Sequence, residues 1–163
     1  MDQTVHDIDT CMWVAGERPH TVYATGFAFY PDIAAVPDTD TVTVNLQFPS
    51  GAMATIDNTR RATYGYDTRL EVYGDKAMVT LENVRASAVT VHSAEGEVKD
   101  CIFDHFSSRF KDAYYSELDH FIAFLQGRAS TLRITADEAC AAVRVSQAAA
   151  ESFRLGLPIK LVW

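Results

Sequence analysis

The chain has 163 residues, 48% of them hydrophobic, and a formal net charge of -8, so it carries enough apolar side chain for a sizeable core. That charge excludes a general binder of nucleic-acid backbone, which needs clustered Lys and Arg to displace counterions, whereas the 14 basic residues here are scattered. No apolar run approaches the roughly 18 to 20 residues that span a bilayer, the first residues form no basic-then-apolar leader, and Cys11, Cys101 and Cys140 are widely spaced among apolar or small neighbours, which predicts buried thiols, a reducing compartment and a cytoplasmic protein with no membrane partner.

Over residues 2–14, Val5, Ile8 and Met12 recur at helical spacing, and Gly16 stands where a helix end favours positive φ. Residues 21–29 are rich in Val, Tyr, Phe and Thr and read as a strand, followed by a loop through Pro31 and Pro37. Residues 41–48 alternate: Val42, Val44, Leu46 and Phe48 point one way, and Thr41, Thr43, Asn45 and Gln47 the other. Pro49, Ser50 and Gly51 turn the chain, and residues 52–58 return as the partner strand. After a polar stretch, residues 69–73 and 76–81 flank Gly74-Asp75 as one hairpin, and residues 87–92 and 97–103 flank Glu95-Gly96 as another.

The period then becomes helical. Phe110, Tyr114, Leu118, Phe121 and Leu125 form an apolar stripe on a helix expected from about 107 to 127, which favours packing for Tyr114. Thr135 with Glu138 is a capping-box pattern that opens an alanine-rich helix to about 155, stopped by Gly156 and Pro158, and residues 159–162 make a last strand. Helix, strands, two long helices and a strand is an α+β order, not the alternation of a doubly wound sheet. Neither repeat nor linker interrupts it, so residues 1–163 are expected to form one domain.

The eight glycines stand singly, so neither a dinucleotide fingerprint nor a phosphate loop can be built, and no cofactor-binding residue is predicted in this chain. Asp2, His6, Asp9 and Trp13 fall at i, i+4, i+7 and i+11, one stripe of a helix whose apolar residues occupy another face. A His one turn from a carboxylate is a natural acid/base unit, because the charge tunes a group that titrates near neutrality. The same spacing suits a solvated face with i, i+4 ion pairs. It also allows metal ligation by His6 with Asp2 and Asp9, in a small hydrolase or lyase, although one His and two acids is a weak zinc signal and no metal ligand is assigned. His20 lies off this face. Arg60 and Arg61 beside Tyr64 and Tyr66 suit a substrate-facing loop at least as well as base stacking, with the arginines making loop or subunit contacts.

Asp2-Gln3-Thr4-Val5-His6-Asp7-Ile8-Asp9 resembles the D-x-x-x-H-D-x-D stretch that opens the substrate domain of Gfo/Idh/MocA oxidoreductases, inositol 2-dehydrogenases most of all. Further stretches agree in the same order: Asn58 to Asp67 with its Tyr64-Gly65-Tyr66-Asp67, then Leu70-Glu71-Val72-Tyr73-Gly74, then Arg109 to Tyr114 with Glu117 and Phe121. The resemblance covers nearly the whole chain. It implies an open, mostly antiparallel sheet with helices on one face, and a homodimer or homotetramer formed through the other face, where Tyr23, Thr25 and Phe27 join Thr41, Thr43, Asn45 and Gln47.

The resemblance also implies roles. His6 would take the proton of a substrate hydroxyl, assisted by Asp2, while Asp9, Tyr64, Tyr66 and Tyr114 would bind a small polyol or sugar such as myo-inositol. NAD or NADP would serve the whole enzyme, held by a nucleotide-binding half with its glycine fingerprint and Glu-Lys-Pro lysine, neither of which is in this sequence. The chain alone is therefore expected to bind no cofactor and not to turn over. The alternative is a non-catalytic oligomeric or binding module.

Overall fold

The computed structural model describes residues 2–163. In chain order the elements are α1 (Thr4–Ala15), β1 (Thr21–Phe27), α2 (Pro31–Ala34), β2 (Thr41–Gln47), β3 (Met53–Thr59), β4 (Leu70–Tyr73), β5 (Met78–Leu81), β6 (Thr90–Ser93), β7 (Gly96–Lys99), α3 (Phe106–Arg109), α4 (Lys111–Leu125), α5 (Ala136–Leu155) and β8 (Ile159–Lys160). They fall into two compact units, one made by the chain up to Arg61 with Arg133–Trp163, the other by Ala62–Leu132.

The first unit carries an antiparallel sheet in the order β3-β2-β1-β8. Alternation decides its two faces. Val22 and Ala24 of β1, Val44 and Leu46 of β2 and Ile56 of β3 point inward, where Ile8 and Met12 of α1 and Ala141, Ala142, Val145, Ala148 and Ala149 of α5 meet them. Alanines on α5 let the helix come close to the strands, and the buried Phe48 belongs to the same core. The result is the α+β architecture expected from the order of elements, an open antiparallel sheet with helices on one face. On the other face Tyr23 stands opposite Asn45, Thr25 opposite Thr43 and Phe27 opposite Thr41, and Phe27 and Met53 are 61% and 78% exposed.

Two polar side chains hold this unit where strands end. β8 pairs only with Thr21 and Val22, so the Ala24 N–H lies beyond it. The buried Ser152 hydroxyl takes its place, accepting from Ala24 N at 3.0 Å and donating to Leu157 O at 2.6 Å. Asp40 is equally buried and accepts from Tyr30 N at 2.9 Å and Thr41 Oγ1 at 3.0 Å. Those bonds, led by the Tyr30 amide, keep its carboxyl below the usual range against the opposing effect of burial. At the last residue, the Trp163 indole N–H donates to Pro19 O at 2.8 Å, with the Arg18 and Arg144 guanidiniums each 5.0 Å from the ring centre.

The second unit has two hairpins, β4 with β5 and β6 with β7, followed by α3 and α4. The single helix expected over 107–127 is broken. His105 caps α3, its Nδ1 accepting from Ser107 N, and Phe110 leaves helical geometry at φ -109°, ψ 19° before α4 begins. The stripe it was expected to bury is largely exposed, with Tyr114 at 45%, Leu118 at 59% and Leu125 at 67%. Periodicity identifies the apolar side of a helix but not what covers it. The cysteines need the same correction: Cys101 and Cys140 are exposed, and only Cys11 is partly covered. Burial, helped by the nearby Asp7, pushes the Cys11 thiol up to about 11.

Candidate functional site

The Val5, Ile8 and Met12 side of α1 packs inward, which leaves the opposite stripe outward. His6 is exposed on it, and Trp13, two turns on, is 80% exposed. The regular helix starts only at Thr4, so Asp2 lies in the preceding turn, exposed, rather than on the helical face predicted for it.

Asp9 is half-buried on the α5 side. Burial raises its carboxyl above the usual range, Glu138 adds to the rise, and His6 opposes it. Glu138 is itself fixed, because it completes the capping box: its N–H donates to Thr135 Oγ1 at 3.2 Å while its carboxylate accepts from Thr135 N at 2.7 Å.

Asp7, which spacing alone did not single out, has a specific partner. Its Oδ2 accepts from Asn58 Nδ2 at 3.0 Å, tying α1 to β3. Burial raises the Asp7 carboxyl, opposed by that bond and by His6. His6 thus stands in the field of Asp7 and Asp9, both partly withdrawn from water. An exposed imidazole so placed can exchange a proton with a bound hydroxyl. Within this unit, the polar cavity at the start of α1, lined by Gln3, Thr4, Asp38, Asp40, Asn58 and Arg60, measures about 30 Å³. That is room for a water and far too little for a polyol.

Tyr64, Tyr66 and Tyr114 all belong to the second unit. Tyr64 is 61% exposed and donates to Asp67 Oδ2 at 2.6 Å. Tyr66 is anchored, its N–H donating to Phe103 O at 2.7 Å and its ring edge-on to Phe110 at 5.8 Å. Between them Gly65 takes φ +130°, and a Cβ there would overlap the Ile102 side chain and come within 3.0 Å of Phe103 O, so only glycine fits. Asp67 is the centre of this loop. It also accepts from Arg69 Nε at 2.8 Å and Asn83 Nδ2 at 2.6 Å, and these bonds, the Arg69 one foremost, lower its carboxyl to about 2. The sequence hint was Asp67 standing three residues after Tyr64 and two before Arg69; Asn83 gave none.

Arg60 and Arg61 make loop contacts, as expected. Arg60 pairs with Asp38 at 3.4 Å, and Arg61 pairs with Asp32 at 2.8 Å and lies over the Tyr30 ring. Among the described residues no three His, Cys, Asp or Glu side chains are arranged to hold a metal ion, and no helix is long and apolar enough to cross a membrane.

Residues 1–161 match the model of the oxidoreductase family's C-terminal alpha/beta domain. The inositol 2-dehydrogenase of Rhizobium meliloti (strain 1021) is 36% identical over 152 residues, 93% of this chain and 46% of that protein. Among solved structures, a myo-inositol dehydrogenase from Corynebacterium glutamicum superposes with a TM-score of 0.91 at 33% identity, over 99% of this chain and 49% of that one. The scyllo-inositol dehydrogenase of Lactobacillus casei, solved with NAD(H) and scyllo-inositol bound, gives a TM-score of 0.88 at 27% identity over 98% of this chain and 47% of that one. The chain spans about half the length of the curated relatives it matches.

Proposed function

The chain belongs to the Gfo/Idh/MocA oxidoreductase family, matching its C-terminal alpha/beta domain, and on that premise we propose that it supplies the substrate side of an NAD(P)-dependent dehydrogenase acting on the CH–OH group of a polyol or sugar such as myo-inositol. The observation that carries the reading is the exposed His6 on α1 with Asp7 and Asp9 in electrostatic reach.

His6 takes the proton of the hydroxyl being oxidised, and Asp2, in the turn ahead of it, assists. Asp9 accepts hydrogen bonds from a second hydroxyl, a task suited to a carboxylate that can accept from two O–H groups. Tyr64, Tyr66 and Tyr114, on the second unit, are read as polyol-binding side chains, Tyr66 with its ring already braced by Phe110. In such dehydrogenases a nicotinamide accepts the hydride. The described residues hold no glycine-rich turn at a helix N-terminus that could cradle its phosphates, so no residue of this chain is assigned to it.

We read the outer sheet face as the contact of a homodimer or homotetramer, supported by Phe27 and Met53 standing uncovered among hydroxyl and amide side chains. Free cysteines support a cytoplasmic setting.

The test is a titration of the protein with myo-inositol, scyllo-inositol and glucose, followed on the imidazole resonances. Saturable shifts of the His6 ring by one of them, abolished in Asp9→Ala, are expected. A His6 ring indifferent to all three overturns the assignment. Measurable NAD-linked oxidation of myo-inositol by the 163-residue chain overturns the further expectation that it does not turn over alone.

A further inference from the structure

We infer that Asp67 is a positioning residue that makes Tyr64 a dedicated hydrogen-bond acceptor for a substrate hydroxyl. The inference rests on the polyol reading above and deepens it.

A phenol carries one proton and two acceptor lone pairs, and what it offers a ligand depends on where the proton goes. In Tyr64 it goes to Asp67 Oδ2 at 2.6 Å. Asp67 has no freedom to release it. Arg69 grips both carboxylate oxygens, Nε to Oδ1 at 2.8 Å and Nη2 to Oδ2 at 3.0 Å, and Asn83 Nδ2 donates to Oδ1 at 2.6 Å. The Asn83 amide cannot flip without loss, because its Oδ1 accepts from Thr68 N at 2.8 Å. Asp67 is sheltered, its side chain 15% exposed, while Tyr64 is 61% exposed. The backbone between Tyr64 and the anchored Tyr66 is fixed by Gly65, where a side chain would strike Ile102.

On this largely exposed side chain, a phenol oxygen whose proton is already committed has only lone pairs to present. A free hydroxyl can donate to it. A keto or methyl-ether oxygen at the same place brings lone pair against lone pair. The loop therefore reads whether the ligand group set against Tyr64 carries an O–H. The bond to an anion also strengthens the phenol oxygen as an acceptor, and it raises the Tyr64 phenol above its ordinary range.

Two measurements on the protein test this. In the first, the difference in tyrosinate absorbance between wild type and Tyr64→Phe isolates the titration of Tyr64. Deprotonation above the ordinary phenol value of about 10, returning to it in Asp67→Asn, is expected; an ordinary value in wild type overturns the inference. That arm needs only the exposed Tyr64→Phe, so it decides even where Asp67→Asn does not fold. In the second, affinities for myo-inositol and its mono-O-methyl ethers are compared in wild type, Tyr64→Phe, Asp67→Asn and the double variant. Each single variant is expected to weaken myo-inositol about fivefold to tenfold, the size of one lost hydrogen bond, and to lose discrimination against one particular ether. The double variant is expected to be no worse than Tyr64→Phe within about twofold, since Asp67 acts through Tyr64. Additive losses, or full affinity in Tyr64→Phe, overturn the inference while polyol binding stands. A wild type that binds no polyol overturns the functional reading itself, and with it the ligand role of Tyr64.

Discussion

Asp7 and Asp67 are opposite uses of one side chain, and pH separates them. The Asp7 carboxyl is raised by burial. The folded state then holds its proton more tightly than the unfolded chain, so this group favours folding below the ordinary value and costs stability as pH rises through the raised one. Asp7→Asn keeps an acceptor for Asn58 and removes the charge, so its melting temperature at pH 7 is expected to equal or exceed wild type by about 1 to 3 °C. Asp7→Leu leaves the Asn58 amide only its 3.3 Å bond to Asp57 O and is expected to lower the melting temperature. Asp67 runs the other way. Its carboxyl is lowered to about 2 from 3.8, so its contribution is complete above pH 4 and fades as pH falls toward 2. Urea titrations across that window are expected to show wild type losing about 1 kcal/mol more than Asp67→Asn, after allowance for solvent screening. The Asp7 role was not legible from spacing, whereas for Asp67 the nearby Tyr64 and Arg69 were a local hint. The partner that defines Asp7 is Asn58, 51 positions away, and no local pattern announces such a contact.

Among the elements, those with a strict local period were legible and those decided by tertiary contact were not. The alternation of β2 and its turn onto β3 follow from the sequence, as do the capping box of α5 and its end at Gly156. The break at Phe110 did not, because residues 107–127 hold no proline and the apolar period runs straight through. Ser152 was equally hidden, since a serine in an alanine-rich helix reads as a surface residue. Its hydroxyl serves two backbone groups at once, so Ser152→Ala leaves the Ala24 N–H and the Leu157 carbonyl unsatisfied. A loss of about 2 to 4 kcal/mol in denaturant unfolding is expected, well beyond an ordinary surface substitution. A change below about 0.5 kcal/mol means that water satisfies both groups.

For the whole molecule, the consequential choice is which side of the sheet the helices leave open. Inward residues could be named from sequence because they alternate with polar ones, and the open side follows by subtraction. Phe27→Glu and Met53→Lys place charge on that side, at positions 61% and 78% exposed and outside the α1 and α5 core. Light scattering behind a sizing column is expected to find wild type as a dimer or tetramer and both variants as folded monomers with unchanged circular dichroism. A monomeric wild type removes the proposed interface.

The Trp163 contact gives the chain a natural optical label. Its two tryptophans sit in contrasting surroundings, Trp13 80% exposed on α1 and Trp163 bonded to Pro19 O between two guanidiniums. Fluorescence quenchers in solution therefore reach them unequally. Emission from Trp13 follows what settles on the His6 face, while emission from Trp163 follows whether its contact with Pro19 holds, so one sample distinguishes ligand arrival from loss of that contact without a dye.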